Sequence, residues 1–95
     1  MAPSAPAPME AHAAVLRLVR ERISQAFPRA TRLEIVDSTP AQTIAANGGA
    51  YLTLTLQDQA FAGRSPMERV RMVSPYVEDL LARNRIHAIS YDLED

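Results

Sequence analysis

Two histidines and no cysteine leave this sequence with few side chains that can hold a metal ion. His87 lies in an alternating apolar segment, and a neutral imidazole can bind a metal through one nitrogen while a hydrogen bond orients the other. The alternative is that His87 is a polar residue on the exposed face of an edge strand. His12 lies near the start of the first helix, where we expect it to be solvated. His87 is therefore the one candidate metal ligand.

Three arginines form a second candidate site. Arg64, Arg69 and Arg71 flank the start of a predicted helix, and guanidinium groups can bind phosphates or carboxylates with two parallel hydrogen bonds. The alternative is a solvated helix face with Glu68 as a neighbour. The net charge of −1 has the wrong sign for a domain held on nucleic acid mainly by phosphate neutralisation. The hypothesis of a local basic surface that binds a partner or a nucleic acid remains.

The sequence lacks the residue patterns typical of an enzyme. It has no nucleophile with an adjacent base, no carboxylate pair in contrasting environments and no glycine-rich phosphate loop. Ser65 and Ser74 are explained as helix caps, and Glu78 and Asp79 as carboxylates that face solvent. A G-x-x-G loop, which a domain of the KH type needs to bind single-stranded nucleic acid, is also missing. We therefore expect a protein that binds a partner and is not an enzyme.

The first half of the chain predicts one helix and two strands. Residues 10–27 place apolar side chains at three- and four-residue steps, which indicates an amphipathic helix that Pro28 ends. Residues 32–36 and 51–56 alternate with period two, so each is predicted to be a strand with one buried face. Residues 38–50 contain proline, asparagine and two glycines, which predicts a long loop that is exposed and mobile.

The second half predicts a helix and a third strand. Residues 65–68 read Ser-Pro-Met-Glu, a capping-box helix start, and the core stripe of this helix begins at Met67. Pro75 should cause a kink or a restart, which Ser74 can cap. Residues 86–91 are predicted to form the third strand. It is followed by an acidic tail that we expect to fray: Asp92, Glu94 and Asp95.

The order helix, strand, strand, helical turn, helix, strand predicts an α+β domain of two layers. A three-stranded sheet with the helices on one face buries both kinds of apolar surface. We predict a disordered lead-in over residues 1–9 and a single domain over residues 10–95. No apolar run approaches the roughly 20 residues needed to span a bilayer, and a secretory signal is missing, so we expect a soluble protein. The cytoplasm, the mitochondrion and the plastid all remain open as its compartment.

Three segments of the sequence carry signatures of a known family. Residues 61–65 read Phe-Ala-Gly-Arg-Ser, residues 69–73 read Arg-Val-Arg-Met-Val, and residues 86–90 read Ile-His-Ala-Ile-Ser. These segments resemble the signatures of the BolA-like family. The similarity runs in register over roughly residues 10–93. The resemblance implies a KH-like fold with a helix-turn-helix-like element around Gly63.

The resemblance also implies a role in iron–sulfur cluster or iron homeostasis through a monothiol glutaredoxin. In such complexes a [2Fe–2S] cluster is shared, and His87 would be this chain's ligand, with the region from Arg64 to Arg71 beside the contact surface. We expect the isolated chain to be a monomer without a cluster and to form a heterodimer with its partner. Two positions depart from the family pattern. Val70 replaces a histidine, and residues 38–50 lack the second ligand, histidine or cysteine, that cluster-binding members often supply.

Two other functions remain open at this point. A DNA-binding transcriptional regulator would present the helix-turn-helix-like element to a duplex and would depend on Arg69 and Arg71. The missing second ligand also fits a family member that binds its partner without a cluster, or that regulates another protein of the assembly machinery.

Overall fold

A computed structural model describes residues 7–95 of the chain. None of the helices in this part is long and apolar enough to cross a membrane. Short 3-10 turns lie at Gln59–Phe61 and Ser74–Tyr76. In chain order the helices and strands are α1 (Pro8–Ala26), β1 (Arg32–Asp37), α2 (Ala41–Ala45), β2 (Ala50–Gln57), α3 (Pro66–Val73), α4 (Glu78–Ala82) and β3 (Ile86–Glu94).

Strand β2 is the centre of a three-stranded sheet with the order β1-β2-β3. It pairs antiparallel with β1 and parallel with β3. Parallel neighbours need a crossover connection, which α3 and α4 supply here. Alternate residues of β2 are buried under the helices, as its strand periodicity predicts: Ala50, Leu52, Leu54 and Leu56. The predicted α+β architecture is confirmed, with the helices on one face of the sheet and the other face open.

The core lies between this face of the sheet and the helices. Burying an aliphatic or aromatic side chain contributes about 1.5–3 kcal/mol, so a dozen such residues supply most of the driving force for folding. Phe27 packs against the fully buried Phe61 with ring centroids 5.6 Å apart. The helices and their connections add the remaining buried residues: Val15, Val19, Ile23, Val73, Val77 and Leu80, with Ile86 from β3.

The first helix begins earlier and the last strand ends later than predicted. Helix α1 begins at Pro8, so the predicted lead-in was too long, because proline is favoured in the first turn where its missing N–H has no helical partner. Residues 1–6 of that lead-in lie outside the described residues. The prediction that the acidic tail frays was wrong for Asp92 and Glu94. Both belong to β3, where they pair with Thr55 and Gln57 of β2.

The helical crossover shows the predicted capping box and the predicted break. The Ser65 side chain accepts a hydrogen bond from the Glu68 N–H, and the chain leaves the α-helix at Val73 before α4 begins. The predicted cap at Ser74 was wrong, because Ser74 has helical φ and ψ of −57° and −34°. An N-cap residue needs extended backbone. Met67 was also wrongly predicted to be buried: it lies in the first turn of α3 and is 63% exposed.

The two serines make a matched test of this difference. Ser65→Ala removes a capping oxygen and should lower the free energy of unfolding by about 1 kcal/mol. Ser74→Ala removes a hydroxyl that caps no helix, so its effect should stay within about 0.5 kcal/mol. Chemical denaturation of both variants measures these differences. Equal losses for the two variants would contradict the assignment of Ser65 as the cap.

Gly49 marks the closest approach between the end of the segment that precedes β2 and the start of β3. A Cβ atom at this position would lie 2.7 Å from the His87 amide nitrogen and 2.8 Å from the Asn84 carbonyl oxygen. Real Cβ atoms essentially never come so close to backbone atoms. Only glycine fits here without displacing the first residues of β3.

Gly49→Ala should therefore destabilise the fold and shift the start of β3. Forcing an extra carbon into a packed site costs about 1–3 kcal/mol. We expect that loss in denaturation experiments, together with large amide chemical-shift changes at His87 and small ones at Leu93, near the other end of the strand. An alanine variant with unchanged stability and an unchanged His87 amide would show that the two segments do not meet as described.

Candidate functional site

His87 lies at an irregularity in the pairing of β2 with β3. Ala50 pairs with Ile86, and Tyr51 pairs with Ala88, so His87 is an extra residue between them. Such a bulge changes the direction of a side chain. The His87 imidazole is exposed and stacks on the Tyr51 ring, with centroids 4.8 Å apart and ring planes 15° from parallel. Within residues 7–95 the imidazole makes no hydrogen bond to the protein, so its nitrogens are available to an external ligand.

The open face of the sheet surrounds this imidazole with small or polar side chains. The strand register places Ala88, Ser90 and Thr53 on the same face as Tyr51. Val36 of β1 also lies on this face and is 53% exposed. The Arg32–Glu34 ion pair, with an N–O distance of 3.1 Å, lies toward the far end of the face. The face is therefore a mixed polar and apolar surface on which a partner can dock beside His87.

A metal site made by this chain alone is not found in the described residues. No group of three or more histidine, cysteine, aspartate or glutamate side chains is close enough to hold an ion within residues 7–95. Residues 38–50 contain no histidine or cysteine. His87 can supply one ligand, whereas an iron–sulfur cluster takes about four. His87 by itself therefore falls short of a complete cluster site.

The segment between β1 and β2 is more structured than predicted. It contains the short helix α2, and the Gly48 N–H bonds to the Thr43 carbonyl oxygen at 2.8 Å. The Ala50 N–H then donates to the Arg85 carbonyl oxygen at 2.9 Å, just before β3. The predicted exposure is confirmed for most of residues 38–48, but the segment contains a short helix and local hydrogen bonds where a loop was predicted. Its end lies directly beside the start of β3, where His87 is found.

His12 is not solvated, contrary to the prediction. Its Nε2 atom lies 2.6 Å from Asp37 Oδ2, and its side chain is only 9% exposed. The strand register explains this contact. Asp37 pairs with Leu52, whose side chain is buried under the helices, so Asp37 also points to the helix side of the sheet and meets α1 there.

Asp37 connects His12 to the backbone of Tyr51 through Thr39. Asp37 Oδ1 accepts hydrogen bonds from the Thr39 hydroxyl at 2.6 Å and from the Thr39 N–H at 3.1 Å. Thr39 Oγ1 in turn accepts a bond from the Tyr51 N–H at 2.9 Å. Sequence reasoning missed this network. The Asp-Ser-Thr run after a strand was the available signal, because such residues commonly bond to nearby backbone groups.

The hydrogen bonds to Asp37 determine its ionisation. Partial burial by itself would raise the pKa of this carboxyl group, but the bonds from His12 and Thr39 favour the charged form more strongly. The net result is a pKa below the ordinary aspartate value of 3.8. The carboxylate therefore stabilises the folded state at neutral pH.

The three arginines lie in a different region from His87. Arg69 donates to the Arg64 and Leu93 carbonyl oxygens at 3.0 and 2.9 Å, so most of its guanidinium group holds α3 to the end of β3. Arg64 Nη1 lies 3.7 Å from Glu68 Oε2, and Arg71 contacts the sulfur atom of Met67 at 3.4 Å.

The distance along β3 separates the two candidate sites. Leu93 is six residues from His87, which corresponds to about 20 Å of extended strand. The Arg64 to Arg71 region therefore lies near the other end of β3 from His87, and its expected place beside a partner contact surface stays a prediction. The expected helix-turn-helix-like element is also short, because a single 3-10 turn, Gln59–Phe61, precedes Gly63 and α3.

Asp37→Asn tests the charged network in acid. A carboxyl group whose pKa is lowered by folding stabilises the protein above its unfolded value and loses that contribution as the pH falls through the folded pKa. The wild-type advantage in unfolding free energy over Asp37→Asn should therefore shrink between about pH 5 and about pH 2. Denaturation at a series of pH values measures it. An advantage that stays constant over this range would contradict the account.

The sequence matches the family model described as "BolA-like protein" over residues 23–94. Solved structures with the same fold include the BolA domain of SufE1 from Arabidopsis thaliana, with a TM-score of 0.67 and 25% identity over 83% of this chain and 87% of that one. The solution structure of BolA1 from Mus musculus has a TM-score of 0.66 and 24% identity, over 99% and 71% of the two chains.

A bol-like protein from Babesia bovis matches with a TM-score of 0.65 and 20% identity, over 82% of this chain and 80% of that one. A comparison with curated protein sequences found no match. The family match spans β1 to β3 and includes all three sequence segments that resemble the family signatures. This chain belongs to the BolA-like protein family.

Proposed function

We propose that this protein is a non-enzymatic accessory protein of iron–sulfur cluster or iron homeostasis. In this role it binds a monothiol glutaredoxin through the open face of its sheet, and the two chains share a [2Fe–2S] cluster. His87 is this chain's ligand to the cluster. The observation that carries the proposal is the exposed imidazole of His87, which a bulge turns onto an open face and which has no protein hydrogen bond within residues 7–95.

The environment of His87 suits a ligand that another molecule completes. A ligating imidazole must be unprotonated and accessible at one nitrogen. The Tyr51 ring stacks on one face of the imidazole and limits its rotation, but it forms no hydrogen bond with either imidazole nitrogen. In this proposal the glutaredoxin and its bound thiol supply two thiolates, and the fourth position of the cluster is taken by a ligand other than cysteine of this chain, because this chain contains no cysteine.

The surroundings of His87 also suit protein docking. Small side chains at Ala88 and Ser90 allow a partner backbone to approach the sheet, while the exposed Val36 offers apolar contact. The helix layer covers only the opposite face, so nothing in residues 7–95 competes with a partner for this one. The protein acts here by presenting a ligand and a surface, as a monomer that forms a one-to-one complex.

His87→Ala tests the ligand assignment. We expect the wild-type protein, mixed with a monothiol glutaredoxin carrying a [2Fe–2S] cluster, to form a one-to-one complex with an altered visible circular dichroism spectrum. Replacing a thiolate by an imidazole changes the charge-transfer bands of the cluster, so His87→Ala should leave the glutaredoxin spectrum unaltered. Size-exclusion chromatography reports complex formation in the same samples.

Asp92→Asn is the matched control, because Asp92 is exposed on the same strand and the same face but is five residues from His87. This variant should give the wild-type spectrum. If His87→Ala also gave the wild-type spectrum, another residue would be the ligand. If the wild-type protein formed no complex with the glutaredoxin, the proposed partner would be wrong.

A further inference from the structure

We propose that His12 is a positioning residue for His87, acting through Asp37, Thr39 and Tyr51 from the opposite side of the sheet. The effect of this positioning on cluster binding rests on the proposed function. The positioning of the His87 ring itself concerns only this chain and needs no partner.

The hydrogen bonds in this network have only one consistent direction. The Tyr51 N–H can only donate, so Thr39 Oγ1 accepts from it and must send its own proton elsewhere. Asp37 Oδ1, at 2.6 Å, is the acceptor of that proton. The ionised Asp37 carboxylate can only accept, so the second oxygen takes its bond from His12 Nε2. The donor and the acceptor of each bond are therefore fixed.

The network crosses the sheet from the helix layer to the open face. His12 lies on α1, and its contact with Asp37 is on the helix side. Thr39 follows the end of β1 and reaches the backbone of β2 at Tyr51. The Tyr51 carbonyl oxygen is held as well, by the N–H of Ser38 at 2.9 Å and its hydroxyl at 3.2 Å. Both polar backbone groups of Tyr51 are thus fixed by residues 38–39.

Fixing the Tyr51 backbone also fixes the surface on which His87 lies. The Tyr51 ring projects to the open face, where it stacks on the imidazole at 4.8 Å. No other ring in the described residues stacks on His87. The His87 imidazole makes no hydrogen bond to residues 7–95, so the Tyr51 stack and the bulge are what restrict its orientation. Groups that orient a ligating histidine commonly matter for metal affinity.

Thr39→Val and Thr39→Ser make a matched pair that tests the inference. Valine has the shape of threonine but cannot accept the Tyr51 N–H, whereas serine keeps the hydroxyl. His12→Ala breaks the network at its other end, far from Tyr51, and provides a second variant if Thr39→Val is poorly folded. Glu21→Gln is the control, because Glu21 is exposed on the same helix as His12 but lies outside the network and away from the open face of the sheet.

The first readout uses the free chain, so it does not depend on any partner. Nuclear Overhauser cross-peaks between the Tyr51 and His87 ring protons should be present in wild type, Thr39→Ser and Glu21→Gln. They should be weakened or lost in Thr39→Val and His12→Ala, while amide shifts of α3 stay unchanged. Wild-type cross-peaks and His87 ring shifts in both disrupting variants would overturn the inference.

The second readout is the affinity for a monothiol glutaredoxin loaded with a [2Fe–2S] cluster. The two disrupting variants should bind about tenfold more weakly than wild type, and Thr39→Ser should bind almost as tightly. Equal affinities for all variants would show that the positioning of His87 by the network does not affect binding of the cluster-loaded glutaredoxin, which would overturn that part of the inference. If wild type itself does not bind, the proposed function fails, while the ring cross-peaks in the free chain still decide whether His12 positions His87.

Discussion

The parallel pairing of β2 with β3 is the constraint on which the rest of the structure depends. Because the two strands start at the same end of the sheet, the chain between them must cross over, and α3 and α4 do so on one face. The opposite face stays open. The same pairing brings the segment that enters β2 next to the turn that enters β3. This places residues 38–50 beside His87, and it places the arginines of α3 at the other end of β3.

The bulge at His87 resolves a conflict in the apolar pattern of β3. Ile86 is fully buried. Further along the strand, every second residue packs against the core: Ile89, Tyr91 and Leu93. A regular strand would put Ile86 and Ile89 on opposite faces, because side chains alternate with period two. One extra residue lets both face the helices, and that residue is His87. Core packing thus favours the bulge, and the bulge exposes the imidazole.

The sequence predicts well what depends on local pattern. The leucines of β2, the capping box at Ser65 and the break at Pro75 each follow from periodicity or from a rule about one residue type, and the structure has all three. The assignment of His87 as a ligand, which came from the family resemblance, stays a prediction. The same approach failed at Met67, because the helix periodicity does not show where the core ends.

The parts that sequence reasoning missed depend on contacts between distant residues. His12 appeared solvated because its partner, Asp37, is 25 positions away and meets it only after β1 packs under α1. The position of the arginines relative to His87 also depends on distant contacts, because α3 packs against β3 only in the folded chain. Arg69 in particular bonds to Leu93, at the far end of β3. Neither the His12–Asp37 contact nor the Arg69–Leu93 contact has a signal in a single sequence.

The central claim is that the His87 imidazole binds iron of a cluster shared with a glutaredoxin. Its most direct test is pulsed electron paramagnetic resonance of the reduced complex, in which only this chain carries histidine labelled with nitrogen-15. The account predicts a hyperfine coupling from a labelled imidazole nitrogen bound to iron, and loss of that coupling in His87→Ala. A paramagnetic cluster in the one-to-one complex without any such coupling would contradict it.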